Sequence, residues 1–215
     1  MGDQEHKQLQ PQPQPGELRL KMKNKFALAL VCQSNLNRSM DAHNVLTREG
    51  YFVRSYGAGT KVKLPGESKD KPNVYDFGTP YDDIFKDLTK KNEAKYSKNG
   101  MLRMVDRNRK LKKCPERFQN ELEAHFDLII CYERRVYDTV TADLDSRECE
   151  ESSPCHVINL ETTDNHAEAS KGAELTKLLM HKLYRSEDWE NEISSILDEY
   201  EMEHKKEVLH IVKYY

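Results

Sequence analysis

Residues 26–39 read Phe-Ala-Leu-Ala-Leu-Val-Cys-Gln-Ser-Asn-Leu-Asn-Arg-Ser, and this stretch decides the fold. The six apolar residues at 26–31 do not alternate with polar ones, which is typical of a strand buried on both faces of a parallel sheet. Small polar residues follow, and residues 39–49 then predict a helix that Gly50 ends. The order of buried strand, polar loop and helix predicts an α/β fold that binds a ligand beside the loop.

Strand and helix patterns alternate along the rest of the chain. Apolar stretches predict further strands at residues 51–56, 126–131 and 156–160, and a last strand at 208–212. Two amphipathic helices precede that last strand, one carrying Leu175 and Leu183 on its apolar face and the other Trp189 and Leu197. Strands that alternate with helices along a chain form an α/β sheet joined by right-handed crossovers. We therefore expect a parallel sheet between two helical layers, which makes an α/β fold of three layers.

The composition divides the chain into a tail and one domain. Residues 1–25 are rich in Gln, Pro and Lys, so we expect a disordered polar tail. Residues 26–215 are long enough to bury the core of a single domain. Within it, residues 57–113 are less regular, and we interpret them as an inserted, loop-rich region that forms a substrate groove.

Charge and cysteine content exclude several classes of protein. The net charge is −3 with both signs mixed, whereas a general nucleic-acid surface needs a basic excess, so no direct nucleic-acid binding is expected. The longest apolar run is far shorter than the roughly 20 residues of a membrane-spanning helix, and no secretory signal precedes the domain. We therefore expect reduced thiols in a cytosolic or nuclear protein, with no membrane partner, metal or cofactor. The cysteines are Cys32, Cys114, Cys131, Cys149 and Cys155.

The loop between the first strand and its helix has the pattern Cys-x5-Arg-Ser and begins at Cys32. A helix N-terminus at this loop favours a bound anion and also the ionised sulfur of Cys32, which is the nucleophilic form of a thiol. The planar fork of Arg38 matches two phosphate oxygens, and the Ser39 hydroxyl can hydrogen-bond the sulfur. Asn35 and Asn37 tolerate left-handed backbone conformations and can lock the curl of the loop. The residues predicted to bind phosphate through the loop are Gln33, Ser34, Asn35, Leu36 and Asn37.

Simpler interpretations of these residues stay open. Cys32 could be a small buried residue and Arg38 a surface residue of the helix. Cys131, at the end of a predicted strand, could pack in the core or act as a redox partner of Cys32. We expect His43, on the helix after the loop, to be a partly buried, hydrogen-bonded residue rather than a catalyst.

Phosphoryl transfer to a cysteine also requires a proton for the leaving oxygen. Because the carboxyl ends of parallel strands meet at one edge of the sheet, acids that directly follow predicted strands are the candidates. These are Glu133 after the strand at 126–131, and Glu161 and Asp164 after the strand at 156–160. Topology favours Asp164 over Glu161 within the small polar loop at 161–166, but it leaves all three open.

The run from Cys32 to His43 resembles the active-site loop of the Ssu-seventy-two (suppressor of SUA) phosphatases, a family that acts on the C-terminal domain of RNA polymerase II. The loop alone would fit any low-molecular-weight tyrosine phosphatase, but further blocks of sequence are distinctive of the Ssu-seventy-two family. These blocks cover residues 62–66, 70–79, 105–109, 115–119, 135–138, 156–159 and 164–166, together with Glu133. The resemblance therefore extends from about residue 26 to the end of the chain.

The resemblance implies a fold like that of the low-molecular-weight tyrosine phosphatases, with added elements that form a peptide groove. Position by position, it implies that Cys32 is the nucleophile, Arg38 the phosphate clamp and Asp164 the general acid. The implied substrate is phosphoserine at position five of the RNA polymerase II heptad, followed by a cis proline, and the implied intermediate is phosphocysteine. The residues that correspond to the proline pocket are Lys63, Leu64, Pro65, Tyr96 and Met104.

The same resemblance implies a setting for the enzyme. It places the chain in the nucleus, in the cleavage and polyadenylation complex that forms mRNA 3′ ends and supports transcription termination, with symplekin as a partner. Because only a minority of X-Pro bonds are cis and their isomerisation is slow, we expect a prolyl isomerase to accelerate turnover.

The sequence departs from the family near the predicted site: Gln33 replaces Ser or Ala, Asp41 replaces Glu, Glu161 replaces Asp, and Arg134 replaces an acidic residue. None of these changes removes a predicted catalytic group, although Glu161 lies close to Asp164 in the acid loop. Three other functions stay open. They are a low-molecular-weight tyrosine phosphatase, an arsenate-reductase-like thiol enzyme that uses resolving cysteines, and a non-catalytic pseudophosphatase scaffold.

Overall fold

The computed structural model describes residues 25–68, 70–148 and 153–215. The polar tail predicted at residues 1–25 lies outside the described residues except for Lys25, and so does Cys149. In chain order the elements are β1 (Leu28–Cys32), α1 (Arg38–Arg48), β2 (Val53–Gly57), β3 (Val62–Ser68), β4 (Lys71–Tyr75), α2 (Tyr81–Lys98), α3 (Met101–Leu111), β5 (Leu128–Cys131), α4 (Arg134–Asp145), β6 (Pro154–Leu160), α5 (His166–Arg185), α6 (Trp189–His204) and β7 (Val208–Tyr214). A short 3-10 helix, Phe118–Asn120, lies between α3 and β5.

Five strands form one sheet in the order β2-β1-β5-β6-β7. The first four are mutually parallel, and their register places Cys32 beside Gly57 and Val31 beside Cys131. Every residue of β1 is buried, as a strand covered on both faces requires. The parallel α/β sheet predicted from the sequence is therefore confirmed, and it brings the carboxyl ends of β1, β5 and β6 to one edge.

The last strand, β7, runs antiparallel to β6, so the expectation of a parallel sheet is wrong for this strand. A single helix between two strands returns the chain to the amino edge of the sheet and gives a parallel neighbour. Two consecutive helices, α5 and α6, separate β6 from β7, and they bring the chain back to the carboxyl edge instead. The direction of β7 follows from this even number of helices.

Helices cover both faces of the sheet and create two separate cores. Leu30 and Ile130 point to the face covered by α1, α5 and α6, where Trp189 packs in the same core. Val31 and Ile129 point to the opposite face, which α4 covers. The three-layer arrangement predicted from the sequence is therefore confirmed. Within the described ranges, no helix combines the length and apolar character that crossing a bilayer requires.

The inserted region at residues 57–113 is more ordered than its sequence predicts. The expectation of loops is wrong, because β3 and β4 form an antiparallel hairpin and α2 and α3 pack against each other. The core of this region contains Leu64, Tyr96 and Met104, and it also includes Leu36 from the polar loop. The helix α2 leaves helical geometry at Asn92, and this break interrupts the apolar spacing that would reveal the helix. The insertion is thus a small packed unit that touches the loop.

His43 lies in α1 and is buried. Its Nδ1 atom is 2.8 Å from the Ser55 hydroxyl, so the expectation of a buried, hydrogen-bonded residue is confirmed. Burial lowers the pKa of His43 to about 4, and the positive charges of Lys112 and Arg107 add to the effect. The imidazole is therefore neutral at neutral pH.

The lowered pKa of His43 predicts a loss of stability on acidification. The unfolded chain binds this proton at about pH 6.5 and the folded chain only at about pH 4, so the stabilisation is complete above 6.5 and is lost as pH falls towards 4. At about pH 5 the free energy of unfolding should be about 2 kcal/mol lower than at about pH 7.5. Urea unfolding measures this drop, which should be smaller by the same amount in His43→Gln. An equal drop in both proteins would show that another group is responsible.

Candidate active site

The Cys-x5-Arg-Ser loop lies at the carboxyl edge of the sheet, between the end of β1 and the start of α1. Cys32 is the last residue of β1 and is buried, and its Sγ atom lies 3.0 Å from the Ser39 hydroxyl. Ser39 belongs to the first turn of α1, whose leading backbone N–H groups have no partner within the helix. The predicted contact between the sulfur and Ser39 is therefore present.

The first carbonyl groups of the loop are bound from outside by the chain that follows β2. The Cys32 carbonyl accepts a hydrogen bond from the N–H of Ala58, and the Gln33 carbonyl accepts one from Gly59, both at 2.9 Å. In a trans peptide the N–H points away from the preceding C=O. These two bonds therefore turn the N–H groups of Gln33 and Ser34 towards the inside of the loop.

The later carbonyl groups of the loop are bound by the inserted region. Tyr81 donates to the carbonyl of Asn35, and the Asn108 amide donates to the carbonyl of Leu36 at 2.8 Å. Arg107 Nη2 donates to the same Leu36 carbonyl at 3.1 Å and lies 3.4 Å from that of Asn37. By the same peptide geometry, the next N–H groups in the chain face inwards. The loop is thus a cradle of N–H groups suited to a tetrahedral anion.

These tethering side chains are the functional residues that sequence reasoning missed. Arg107 also forms an ion pair with Asp41 at 3.0 Å, and this pair joins α3 to α1. Asn108 is fully buried, which is unusual for a polar side chain without such a partner. Both residues lie in the block at residues 105–109 that carries the family resemblance, so the sequence does contain a signal for them. Composition alone predicts that they lie on a solvated helix face.

The two asparagines of the loop behave differently. Asn35 has a left-handed backbone with φ of 52°, as predicted. Its buried side chain donates to the Ser39 hydroxyl at 3.1 Å and to the Ser55 hydroxyl at 3.2 Å, which fixes the turn. Asn37 has φ of −106° and does not use the left-handed conformation that it could tolerate. The side chain of Asn37 instead donates to Asp164 at 2.9 Å and ties the loop to the predicted acid.

Arg38 is buried, with 3% of its surface exposed, so the alternative of a surface helix residue is wrong. Its Nη1 donates to the carbonyls of Tyr132 at 3.2 Å and Thr162 at 3.0 Å. Its Nη2 pairs with Glu133 at 2.8 Å and with Asp164 at 3.4 Å. Burial opposes the charge, but the neighbouring Cys32 sulfur and the two carboxylates outweigh it and raise the pKa of Arg38. Among the described residues its Nε has no partner, which leaves one N–H of a permanent cation for a ligand.

The three candidate acids lie in different environments. The Glu133 side chain is 26% exposed, whereas that of Asp164 is 56% exposed. Glu161 does not contact Arg38. Its carboxylate instead accepts a hydrogen bond of 2.8 Å from the backbone N–H of Arg134, at the start of α4. The structure therefore brings Glu133 and Asp164 to Arg38 and engages Glu161 elsewhere. Of the three, only Asp164 is both highly exposed and in contact with a side chain of the loop. Its role as the acid stays a prediction.

The five residues predicted to form a proline pocket do not line a single cavity among those described. Lys63, Leu64 and Pro65 line a cavity of about 520 Å³ on the β3–β4 hairpin. Met104 lines a separate cavity of about 590 Å³ between α1, α3 and α5. Tyr96 is buried, and its hydroxyl accepts a hydrogen bond at 3.0 Å from a side-chain amide of β4. The pocket itself therefore stays a prediction.

Cys131 lies on the opposite face of the sheet from Cys32. It is in register with Val31, and consecutive side chains of a strand point to opposite faces. Cys131 and Cys155 are both buried on the α4 side, where burial raises the pKa of Cys131 well above its ordinary value and that of Cys155 to about 12. The structure supports core packing for Cys131 and not a redox pair with Cys32.

The fold and the loop together define a class of protein. A cysteine ends a buried parallel strand, a buried arginine stands six residues later, and N–H groups between them face one centre. Such a cradle matches a tetrahedral oxyanion held beside a thiol. The chain is therefore an α/β protein with a cysteine–arginine loop whose geometry suits a tetrahedral oxyanion.

Comparison with known proteins then gives the family. The family model for Ssu72-like protein matches residues 26–215, and the chain belongs to this family. The RNA polymerase II C-terminal domain phosphatase SSU72 of Gallus gallus is 52% identical over 188 residues, which cover 87% of this chain and 96% of that protein. The phosphatase ssup-72 of Caenorhabditis elegans is 46% identical over 189 residues, which cover 87% of this chain and 95% of that protein.

Solved structures of similar proteins share the fold. The Drosophila melanogaster complex of Ssu72 and Symplekin, bound to a cis peptidomimetic of a phosphorylated C-terminal-domain peptide, has a TM-score of 0.86 and 46% identity, and covers 89% of this chain and 99% of that chain. The serine phosphatase of the RNA polymerase II C-terminal domain from the same organism has a TM-score of 0.86 and 47% identity, and covers 89% of this chain and 100% of that chain. The resemblance inferred from sequence blocks is therefore confirmed for family and fold.

Gly172 in α5 packs closely against the acid loop. A Cβ atom at Gly172 would lie 2.8 Å from Thr162 Oγ1 and 2.9 Å from its Cγ2, and Thr162 provides a carbonyl that binds Arg38. Gly172→Ala should therefore shift Thr162 and weaken the hold on Arg38, although alanine favours the helix by about 1 kcal/mol. Calorimetry should show that tungstate, a tetrahedral dianion, binds about tenfold more weakly. Lys171→Ala on the exposed face of α5 is the control, and unchanged affinity in both variants would contradict this expectation.

Proposed function

We propose that this chain is a cysteine-dependent serine/threonine phosphatase of the RNA polymerase II C-terminal repeats. The observation that carries the proposal is the Cys32 sulfur, 3.0 Å from the Ser39 hydroxyl, in a cradle that the buried Arg38 closes. Relatives about half identical in sequence bear the name of this phosphatase, and a Drosophila relative binds a cis mimic of the phosphorylated peptide. The substrate proposed here is phosphoserine at heptad position five, followed by a cis proline.

In the first step the substrate phosphate occupies the cradle, with its charge facing the loop N–H groups and the free Nε of Arg38. The Cys32 sulfur attacks phosphorus, so an S–P bond forms as the bond from phosphorus to the serine oxygen breaks. Asp164, exposed and held by Asn37, gives its proton to the departing oxygen. The products of this step are the free serine peptide, phosphocysteine and the Asp164 carboxylate.

In the second step water attacks the phosphocysteine. The Asp164 carboxylate accepts the proton of the attacking water, an O–P bond forms, and the S–P bond breaks. The electron pair of that bond returns to sulfur, and the Ser39 hydroxyl stabilises the resulting thiolate by donating a hydrogen bond to it. Release of inorganic phosphate restores the starting protonation of both Asp164 and Cys32.

The preference for proline is assigned to the inserted region. The hairpin directly adjoins the phosphate loop, since the backbone N–H of Lys63 lies 3.3 Å from the Ser34 hydroxyl. The cavity lined by Lys63, Leu64 and Pro65 adjoins the loop, and this supports the proposal that the proline ring of a tightly folded cis peptide would lie there when its phosphate occupies the cradle. A coupled prolyl isomerase would then supply the cis form of the substrate.

The proposed setting follows from the family. A solved relative is a complex with Symplekin, so we propose symplekin as a partner of this chain. With it we propose a place in the cleavage and polyadenylation complex, a role in mRNA 3′-end processing and transcription termination, and a nuclear location. The scaffold alternative is disfavoured by the presence of Cys32, Arg38 and Asp164 in one site, since a non-catalytic protein does not require all three.

The nucleophile is tested with a phosphoserine-proline peptide. Cys32→Ser should slow phosphate release by about a thousandfold or more, because a serine hydroxyl in this cradle is a far weaker nucleophile than a thiolate. Phosphate release is followed with a colorimetric assay, and Cys114→Ser serves as the control, since Cys114 is free and partly exposed. Equal rates in wild type and Cys32→Ser would end the proposal, and activity lost in Cys114→Ser would favour a thiol enzyme with a resolving cysteine.

The proton donor is tested with two leaving groups. Asp164→Asn should slow hydrolysis of the phosphoserine peptide by about a hundredfold or more, because an alkoxide is a poor leaving group without a proton. Nitrophenyl phosphate should be much less affected, because its leaving group departs as an anion. Glu161→Gln is the matched control in the same loop, and it should leave the ratio of the two rates unchanged. If Asp164→Asn slows both substrates equally, another group donates the proton.

A further inference from the structure

Lys112 directly follows α3 and carries a largely buried ammonium group behind the phosphate loop. Its Nζ donates to the Ser55 carbonyl at 2.7 Å and to the Asn35 side-chain oxygen at 3.2 Å, and it forms an ion pair with Glu116. These contacts use the donors of the ammonium, so the group is held in one place. None of the steps described above uses it.

The side-chain amide of Asn35 connects this ammonium to the catalytic residues. Its oxygen faces two groups that can only donate, the Lys112 ammonium and the backbone N–H of Glu116 at 3.1 Å. The orientation of the amide is therefore fixed, and its nitrogen must donate on the other side. That nitrogen donates to the Ser39 hydroxyl at 3.1 Å. This hydrogen bond occupies one lone pair of the Ser39 hydroxyl oxygen. The hydroxyl proton is then free for the Cys32 sulfur at 3.0 Å.

One donor of each group in this series of hydrogen bonds points towards the sulfur. The order is an ammonium N–H, an amide oxygen and N–H, a hydroxyl O–H, and finally the thiolate, which can only accept. Hydrogen bonds in such a chain polarise one another, and a charged group at the donor end strengthens the bonds that follow. A side chain without a donor at position 112 would leave the Asn35 oxygen with one donor fewer, and any neutral side chain there would remove the charge from this series of hydrogen bonds.

We propose that Lys112 is a positioning residue that orients Asn35 and thereby directs the Ser39 hydroxyl at the Cys32 sulfur. The proposal deepens the phosphatase proposal, on which its role in turnover rests. Lys112 does not touch the substrate, and it acts on the reacting atom only through two side chains. The sequence places it 80 residues from Cys32, and the end of α3 brings the two together.

The contacts of Lys112 favour its charged form, because its Nζ faces the Glu116 carboxylate and two further acceptors. Burial lowers the pKa of Lys112, and the hydrogen bond and charge of Glu116 oppose that effect. Arg54 also faces this ammonium, and the Tyr56 ring lies 5.5 Å away. Glu116 is 49% exposed, so its charge stays hydrated if the lysine is removed. Removal of the lysine charge alone should therefore leave the fold intact.

Other ionisable groups near the Cys32 sulfur could change its reactivity if they changed charge in the same pH range. Arg38 and Arg107 are guanidinium groups that stay charged, and burial raises the pKa of Tyr81, Tyr132 and Cys131. Burial lowers the pKa of His43, which contacts Ser55 behind the loop, to about 4, so its imidazole is neutral at higher pH. Across the working pH range these groups keep one charge state. A change in the pH dependence of Cys32 reactivity therefore reports on the hydrogen-bond chain.

The experiment measures alkylation of Cys32 by iodoacetamide as a function of pH, in the full chain. Lys112→Met keeps the aliphatic stem and should raise the pH midpoint of alkylation by about one unit, with about a tenfold lower kcat on nitrophenyl phosphate. Lys113→Met, on the exposed neighbouring residue, should change neither quantity. Alkylation does not require hydrolysis, so this readout decides the proposal even if the chain proves not to be a phosphatase. An unchanged midpoint in Lys112→Met would overturn it.

A double-mutant cycle separates this relay from a general structural effect. If Lys112 acts through Ser39, then Lys112→Met should produce no further shift of the midpoint in a Ser39→Ala background. The same shift in both backgrounds would overturn the proposal. If Lys112→Met does not fold, as judged by circular dichroism, Lys112→Gln replaces it in the same cycle. The glutamine keeps an N–H donor but no charge, and it should give a smaller shift that again disappears with Ser39→Ala.

Discussion

The site depends on the hydrogen bonds that hold the carbonyl groups of the phosphate loop pointing outwards. A peptide group cannot turn its C=O outwards without turning its N–H inwards, so each carbonyl bound behind the loop contributes one donor to the cradle. The donors come from the turn after β2 and from α2 and α3, through Gly59, Tyr81 and Asn108. The inserted region is therefore part of the loop's own support, and its folding and the shape of the cradle are linked.

A second constraint is the burial of Arg38. Moving a guanidinium out of water is costly, and the cost is offset only if most of its donors are satisfied. The loops after β5 and β6 supply those partners, through the carbonyls of Tyr132 and Thr162 and the carboxylate of Glu133. The same bonds fix the two loops relative to α1. The buried charge of Arg38 thus holds together the three strand ends that build the site.

The sequence predicts the parts of the structure that are continuous in the chain. Six apolar residues followed by a polar loop are sufficient for β1, the cradle and Cys32, because strand, loop and helix are neighbours. The helix α4 also has a local signal in the spacing of Val136, Val140 and Leu144, which a search for buried strands passes over. Side chains that reach the loop from far along the chain leave no such pattern. Arg107 and Lys112 look like solvated helix residues until the fold shows the carbonyl and amide oxygens that they bind.

Glu161 stands where the family has Asp, and its contacts show what this replacement changes. Glu161 caps the start of α4, Thr162 binds Arg38 through its carbonyl, and the Asn165 side chain accepts the N–H of Glu168 to cap α5. The acid loop is thus anchored on both sides, and Asp164 lies in the short stretch between the anchors. A longer carboxylate at position 161 changes how one anchor is made and leaves the stretch that carries Asp164 the same length. The replacement therefore leaves unchanged the position from which Asp164 contacts Asn37 and Arg38, because that position depends on the distance between the anchors and not on the residue that forms one of them.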